Sequence, residues 1–140
     1  MSCVFCAIAR GEAAADRVLD EPSACAFLDA RPVFKGHVLV VPRAHADDLA
    51  ALAPDESATL FVAARRIALA VELALDSDGA FVALNNKVSQ SVPHVHVHVV
   101  PRKKKDGLRG FFWPRTKYES ADERADYARR IRDALSTRSS

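Results

Sequence analysis

Apolar and polar positions divide the chain into short strand-like runs around one long helical pattern. Leu60, Ala63, Ala64, Ile67, Ala70, Val71 and Ala74 recur at steps of three and four, which sets them on one face of a helix. Pro54-Asp55-Glu56 opens that helix, since proline and acids suit a first turn, and residues 76–79 end it. Runs at 17–21, 24–28, 37–41, 80–84 and 93–100 predict five strands. Glu21-Pro22 marks the first turn, and Pro42 stops the β-branched third run. A helical turn is predicted over 3–10, ended by Gly11, and a short helix over 47–52. Residues 85–91 read as a polar loop and 103–117 as a basic, aromatic arm. A closing helix over 121–135 carries the stripe Ala121, Ala125, Ala128, Ile131 and Leu135. Strands gathered around one long helix predict an α+β fold with a mostly antiparallel sheet.

Composition narrows the classes. A chain of 140 residues fits a single domain, 1–140, with 103–140 as its C-terminal arm and helix. Apolar residues at 49% and charged residues at 27% exclude a disordered chain. A net charge of +2 makes nucleic acid an unexpected partner, and no apolar run is long enough to span a membrane. The N-terminus lacks the basic start and apolar core of a signal peptide, so the expected location is the cytoplasm. Three cysteines, Cys3, Cys6 and Cys25, are an odd number and argue against a disulfide framework.

The chemistry concentrates in Pro93-His-Val-His-Val-His-Val-Val100. In a strand, side chains alternate between faces, so His94, His96 and His98 share one face and the valines take the other. The valine face is expected under the long helix, and the imidazole face toward solvent, a metal or a substrate. A row of imidazoles can bind a transition metal, or one can be a nucleophile that its neighbours orient. His37 and His45 precede the helix and reach the same site if their strand pairs beside the histidine run.

Gly36-His-Val-Leu-Val-Val-Pro42, the loop 85–91 and the alternating histidines together resemble the histidine-triad (HIT) family of nucleotide hydrolases and transferases. The resemblance covers residues 3–102. It implies a five-stranded antiparallel sheet with a long helix packed on it, usually a homodimer, and a purine nucleotide as substrate. His96 matches the family's nucleophile, which attacks the α-phosphorus and forms a covalent nucleotidyl-imidazole that water then opens. His98 matches the histidine that contacts the transferring phosphate or the leaving group. His37 matches one that hydrogen-bonds within the cluster. Ser91, with nearby backbone amides, matches the phosphate-stabilising group. Asn85, Ser89, Gln90 and Ser91 resemble the phosphate-contacting segment, although Ser89 stands where the family commonly has glycine. Asp29 is implied to contact ribose hydroxyls, and Phe5, Ile8, Phe27 and Leu28 are apolar candidates for the base pocket.

Cys3-Val-Phe-Cys6 alone is ambiguous among redox, metal and accident. A closed zinc site needs four ligands, and no second such pair exists. With His45 and His94 the pair resembles the zinc-binding branch of the HIT family, which implies a structural zinc on Cys3, Cys6, His45 and His94. Cys25 reads as a small buried hydrophobe. In the arm, Lys103, Lys104, Lys105, Arg109, Arg115 and Lys117 mix with Phe111, Phe112, Trp113 and Tyr118. Such a segment can stack on nucleic acid or anchor a protein interface; the family resemblance implies an arm that crosses the dimer toward the partner's site. The leading expectation is an enzyme acting at an α-phosphorus on nucleoside phosphoramidates, dinucleoside polyphosphates or related nucleotides. The alternatives are a nucleotide-binding regulatory module with little catalysis and a hydrolase with a triad-bound catalytic zinc.

Overall fold

The computed structural model describes residues 2–108 and 115–137. They fall into two compact units, divided between Asp106 and Gly107. The first holds helix α1 (Val4–Ala9), strands β1 (Arg17–Asp20), β2 (Ala24–Leu28) and β3 (Val38–Pro42), helix α2 (Pro54–Leu75) and strands β4 (Gly79–Ala83) and β5 (Val97–Arg102). The second holds helix α3 (Ala121–Thr137), whose Tyr127, Ile131 and Leu135 are exposed within it. Arg109, Phe111, Phe112 and Trp113 of the arm lie outside the described residues.

Five strands form one antiparallel sheet in the order β1-β2-β3-β5-β4, as expected for an α+β protein. Its two faces have different covers. On one, Val95, Val97 and Val99 pack with Ala24, Ala26, Val38 and Val40 against Leu60, Ala63, Ala64, Ile67 and Val71 of α2. Burying one valine is worth about 1.5 kcal/mol or more, so this face fixes which way the alternating run points. On the other, Cys25, Phe27, Leu39 and Val41 pack under Phe5, Ile8 and Ala9 of α1. Phe5, Ile8 and Phe27 are therefore core as well as cleft wall, and Cys25 is fully buried as expected.

The strand expected from residue 93 begins only at Val97. The β3–β5 ladder runs from Val38↔Val99 to Val40↔Val97, and the next bonding position falls to Pro42, which has no N–H to give. Val95 N–H turns instead to the Ala46 carbonyl at 2.8 Å. The helix expected over 47–52 is a single 3-10 turn, Leu49–Ala51, capped by the Asp48 carboxylate on Ala51 N–H. Gly36, before β3, has φ +97° and lies against Leu75 of α2, where a Cβ would collide. The backbone conformation requires glycine, and a Cβ would in addition have to displace the end of the Leu75 side chain.

Candidate functional site

Two of the three imidazoles are shut off from solvent, and the third, His98, is half-buried. His94 is 0% and His96 4% exposed, because α1 roofs them. The Phe5 ring stands edge-on to both, with centroids 5.9 Å from His94 and 5.1 Å from His96. Buried imidazoles need defined partners. Those partners divide the run into a cluster at His94 and a cleft at His96 and His98.

At the cleft, hydrogen bonding fixes each tautomer. His96 Nδ1–H donates to its neighbour's carbonyl, His94 O, at 2.7 Å, which leaves the Nε2 lone pair uncommitted. His37 Nδ1 accepts from Val33 N–H at 3.1 Å, so the proton of His37 is on Nε2. That Nε2–H donates to His98 Nδ1 at 2.9 Å, so His98 in turn carries its proton on Nε2. The rings of His96 and His98 are 5.0 Å apart. Burial first, and then the neighbouring His96 and His37, push His98 down to about 4. Burial also pushes His37 down, against the pull of Asp29, whose Oδ2 lies 3.7 Å away. Both are neutral at pH 7. The uncommitted Nε2 of His96 thus lies in a ring beside the neutral N–H donor His98.

A cleft of about 930 Å³ holds these two rings. Phe5, Ile8, Phe27 and Leu39 give it an apolar wall, and Asp29 and Ser91 line it with polar groups. Leu28 also lines it. Asp29 Oδ1 accepts from Arg31 N–H at 2.9 Å, the contact of a turn-former, while its other oxygen stays near His37. Asn85, Ser89 and Gln90 are not among the residues lining the cleft. Asn85 is exposed, and Asn86 beside it accepts from Leu49 N–H at 2.9 Å. Both ends of the Gln90 amide are engaged: Oε1 accepts from Lys87 N–H at 2.9 Å and Nε2 donates to Asp47 O at 2.6 Å. Ser89 has φ +60°, the left-handed conformation that a glycine at this position would adopt without strain.

The second cluster gathers ligands from three places. Cys3 and Cys6 flank the first turn of α1, His45 follows β3, and His94 begins the histidine run; their ligand atoms all lie within 4.8 Å of one another. Cys3 Sγ is 3.4 Å and Cys6 Sγ 3.5 Å from His94 Nδ1, and Cys6 Sγ is 3.4 Å from His45 Nδ1. The two Nδ1 atoms are 3.2 Å apart. Ordinary zinc bond lengths in a tetrahedron give edges of about 3.5 Å for S···N and about 3.3 Å for N···N. Four of the six edges therefore have the spacing of one coordination sphere, and the other two lie within 4.8 Å.

The outer hydrogen bonds agree with that spacing. His94 Nε2–H donates to Pro42 O at 2.9 Å and His45 Nε2–H to Asp47 Oδ1 at 2.7 Å. With both rings neutral the two Nδ1 lone pairs face each other, a repulsion that a proton or a metal cation between them relieves. Asp47 raises the His45 pKa through its hydrogen bond, whereas burial lowers that of His94. Burial pushes the Cys3 thiol up, but backbone and side-chain bonds from Cys6 and the Phe5 backbone outweigh it, and the net direction is down. Burial and then Cys3 push Cys6 up. The donor set fits a thiophilic divalent metal, with Asp47 as the carboxylate that fixes a ligand histidine. Asp29, His37 and His98 also come within ligand range, but His37 Nε2 and His98 Nδ1 already bind one another.

Two residues of this wiring, Val33 and Asp47, escape the sequence reading. Val33 contributes only a backbone N–H, which no side-chain pattern signals. Asp47 had one available signal, its position two residues after His45.

A five-stranded antiparallel sheet with an alternating histidine run beside a cleft defines a histidine-triad protein. The model of the HIT domain matches residues 10–105, and the chain belongs to the HIT family. It is 40% identical over 110 residues to an uncharacterized HIT-like protein of Mycobacterium tuberculosis, covering 77% of this chain and 76% of that one. An adenosine 5'-monophosphoramidase of Schizosaccharomyces pombe is 31% identical over 116 residues, covering 81% and 84%. The crystal structure of a zinc-bound histidine triad family protein from Mycobacterium smegmatis superposes with a TM-score of 0.74 at 37% identity, covering 88% of each chain.

Proposed function

We propose that this chain is a nucleotide hydrolase or transferase that cleaves at the α-phosphorus of a nucleoside phosphoramidate, dinucleoside polyphosphate or related nucleotide. The observation that carries the reading is the tautomer of His96: its Nδ1–H is held by the His94 carbonyl, and its Nε2 lone pair is free in a ring that lines the cleft. Nε2 attacks phosphorus and forms the P–N bond. The bond to the leaving group breaks, and that group leaves with the electron pair and takes a proton from solvent. Water then attacks phosphorus and releases a proton, the P–N bond breaks with its pair returning to Nε2, and the nucleoside monophosphate departs. The neutral His98 offers its Nε2–H to a phosphoryl oxygen, and Ser91 adds a second donor. His37 keeps the His98 proton on that nitrogen.

Asp29 accepts from the ribose hydroxyls, and the apolar wall takes a purine with little discrimination. A zinc on Cys3, Cys6, His45 and His94 would cross-link the N-terminus to the histidine run, as a structural rather than a reacting ion. His94 is then committed to the metal and unavailable as acid or base. The reading also takes the chain to be a homodimer whose C-terminal arm helps shape the partner's cleft, and places it in the cytoplasm. No helix among the described residues is long and apolar enough to cross a membrane.

The test is a panel of adenosine phosphoramidate and dinucleoside polyphosphates, read by released AMP, for wild type and His96→Ala. Turnover on at least one substrate, lost in the variant while AMP still binds, is the expected result. A variant that retains the wild-type rate contradicts the mechanism. Binding without turnover in wild type favours the regulatory module.

A further inference from the structure

Residues 42–49 run beside residues 86–95, and four hydrogen bonds hold one against the other. His94 Nε2–H donates to Pro42 O at 2.9 Å, and Val95 N–H to Ala46 O at 2.8 Å. Gln90 Nε2–H donates to Asp47 O at 2.6 Å, and Leu49 N–H to Asn86 Oδ1 at 2.9 Å. The bonds at His94 and Val95 sit at the metal-holding cluster. The bonds at Gln90 and Asn86 sit in the loop that leads to Ser91 and His96. Asp47 belongs to both: its carboxylate takes the His45 Nε2–H, and its carbonyl takes the Gln90 amide.

The loop has need of such a tie. Lys87 and Ser89 have φ values of +72° and +60°, a region that residues other than glycine occupy at a cost. Gln90 supplies the bond that closes this turn, through Lys87 N–H to its Oε1, and anchors the closed turn to Asp47.

We propose that Asp47 and Gln90 are positioning residues that couple the metal cluster to the loop entering the histidine run. This rests on the metal and nucleotide readings given above. When His45 is held as a ligand, its Nε2–H holds the Asp47 carboxylate, and the Asp47 carbonyl holds Gln90. Gln90 then keeps residues 87–91 in the shape that presents Ser91 beside His96. Gln90 acts here through the loop rather than by touching the phosphate.

Amide hydrogen exchange over residues 87–92 of the full chain, loaded with zinc and after stripping with a chelator, reads the coupling without turnover. Stripping should speed exchange at least fivefold in wild type and weaken AMP binding by a similar factor. In Gln90→Ala the loaded protein should already exchange at the fast rate, and stripping should add less than twofold. Zinc affinity of this variant should stay within twofold of wild type. Asp47→Asn keeps the carbonyl that Gln90 uses, so it should bind zinc 10–100-fold more weakly and recover slow exchange at saturating zinc. If stripping also abolishes the helical circular dichroism, the comparison of loaded wild type with loaded Gln90→Ala decides. Wild-type exchange unchanged by stripping, equal exchange in the two loaded proteins, full response of Gln90→Ala to stripping, or a wild type that binds no zinc each overturns the coupling. A zinc-protected loop in a protein that fails to bind AMP overturns the nucleotide reading and leaves the coupling standing.

Discussion

Acidification should destabilise the fold through His98, and the structure gives the size and the window. The ring is half-buried, donates nothing through Nδ1, and has its pKa pushed from 6.5 down to about 4 by burial and by His96 and His37. A histidine with a depressed folded-state pKa is protonated first in the unfolded chain. It contributes nothing above about pH 7.5, and stability falls as pH drops through 6.5 toward 4. Between pH 7.5 and 5 the loss from this one group is at most about 2 kcal/mol, since solvent reaches part of the ring and screens it. The metal ligands also titrate in this range, so the measurement is a difference. Urea unfolding of wild type and His98→Asn is followed at several pH values in the same buffers, and their free energies are subtracted. The subtraction cancels what the two proteins share. Wild type should lose more than the variant between pH 7.5 and 5, by up to about 2 kcal/mol, with direct titration of the ring by NMR giving a midpoint near 4. Parallel pH profiles would show that His98 is not held neutral by its surroundings, and the tautomer chain from His37 would lose its basis.

Other outcomes follow from the same geometry. Purified protein should carry about one zinc per chain, and the Cys3→Ser, Cys6→Ser double variant should lose it. Elemental analysis finding no metal in undialysed wild type, or metal retained in the variant, contradicts the ligand set. Gly36→Ala should lower stability by about 1–2 kcal/mol in denaturant unfolding, because φ is +97° and the end of the Leu75 side chain must give way; an unchanged midpoint refutes this. Sedimentation should find a dimer at micromolar concentration, loosened by deletion of residues 109–140; a monomeric full-length chain refutes the dimer.

The chemistry-bearing run was legible because period-two alternation needs no partner to be read. Val95, Val97 and Val99 do face α2, and the three histidines do share the other side. What covers that side was not legible, since α1 contributes its roof through Phe5, about ninety positions away in the chain. The start of β5 depended on Pro42 in another strand, which ends the ladder by lacking an N–H. Asp29 and Ser91, singled out by the family resemblance, both line the cleft. The direction of protons through Val33, His37 and His98 was not legible, because a backbone N–H far from the triad sets it. The family resemblance implied phosphate contacts for the loop 85–91; in the structure Asn86 and Gln90 spend their side-chain bonds on Leu49, Lys87 and Asp47.

The central claim is that His96 Nε2 becomes bonded to phosphorus. Rapid acid-free quenching of wild type with adenosine phosphoramidate or a dinucleoside polyphosphate, followed by intact mass and peptide mapping, tests it directly. An adenylyl group on the peptide carrying His96, absent in His96→Ala and discharged to AMP by water, is the predicted result. Turnover that proceeds with no adduct under conditions where a phosphohistidine survives, or an adduct mapped to His98 or His94, contradicts the account.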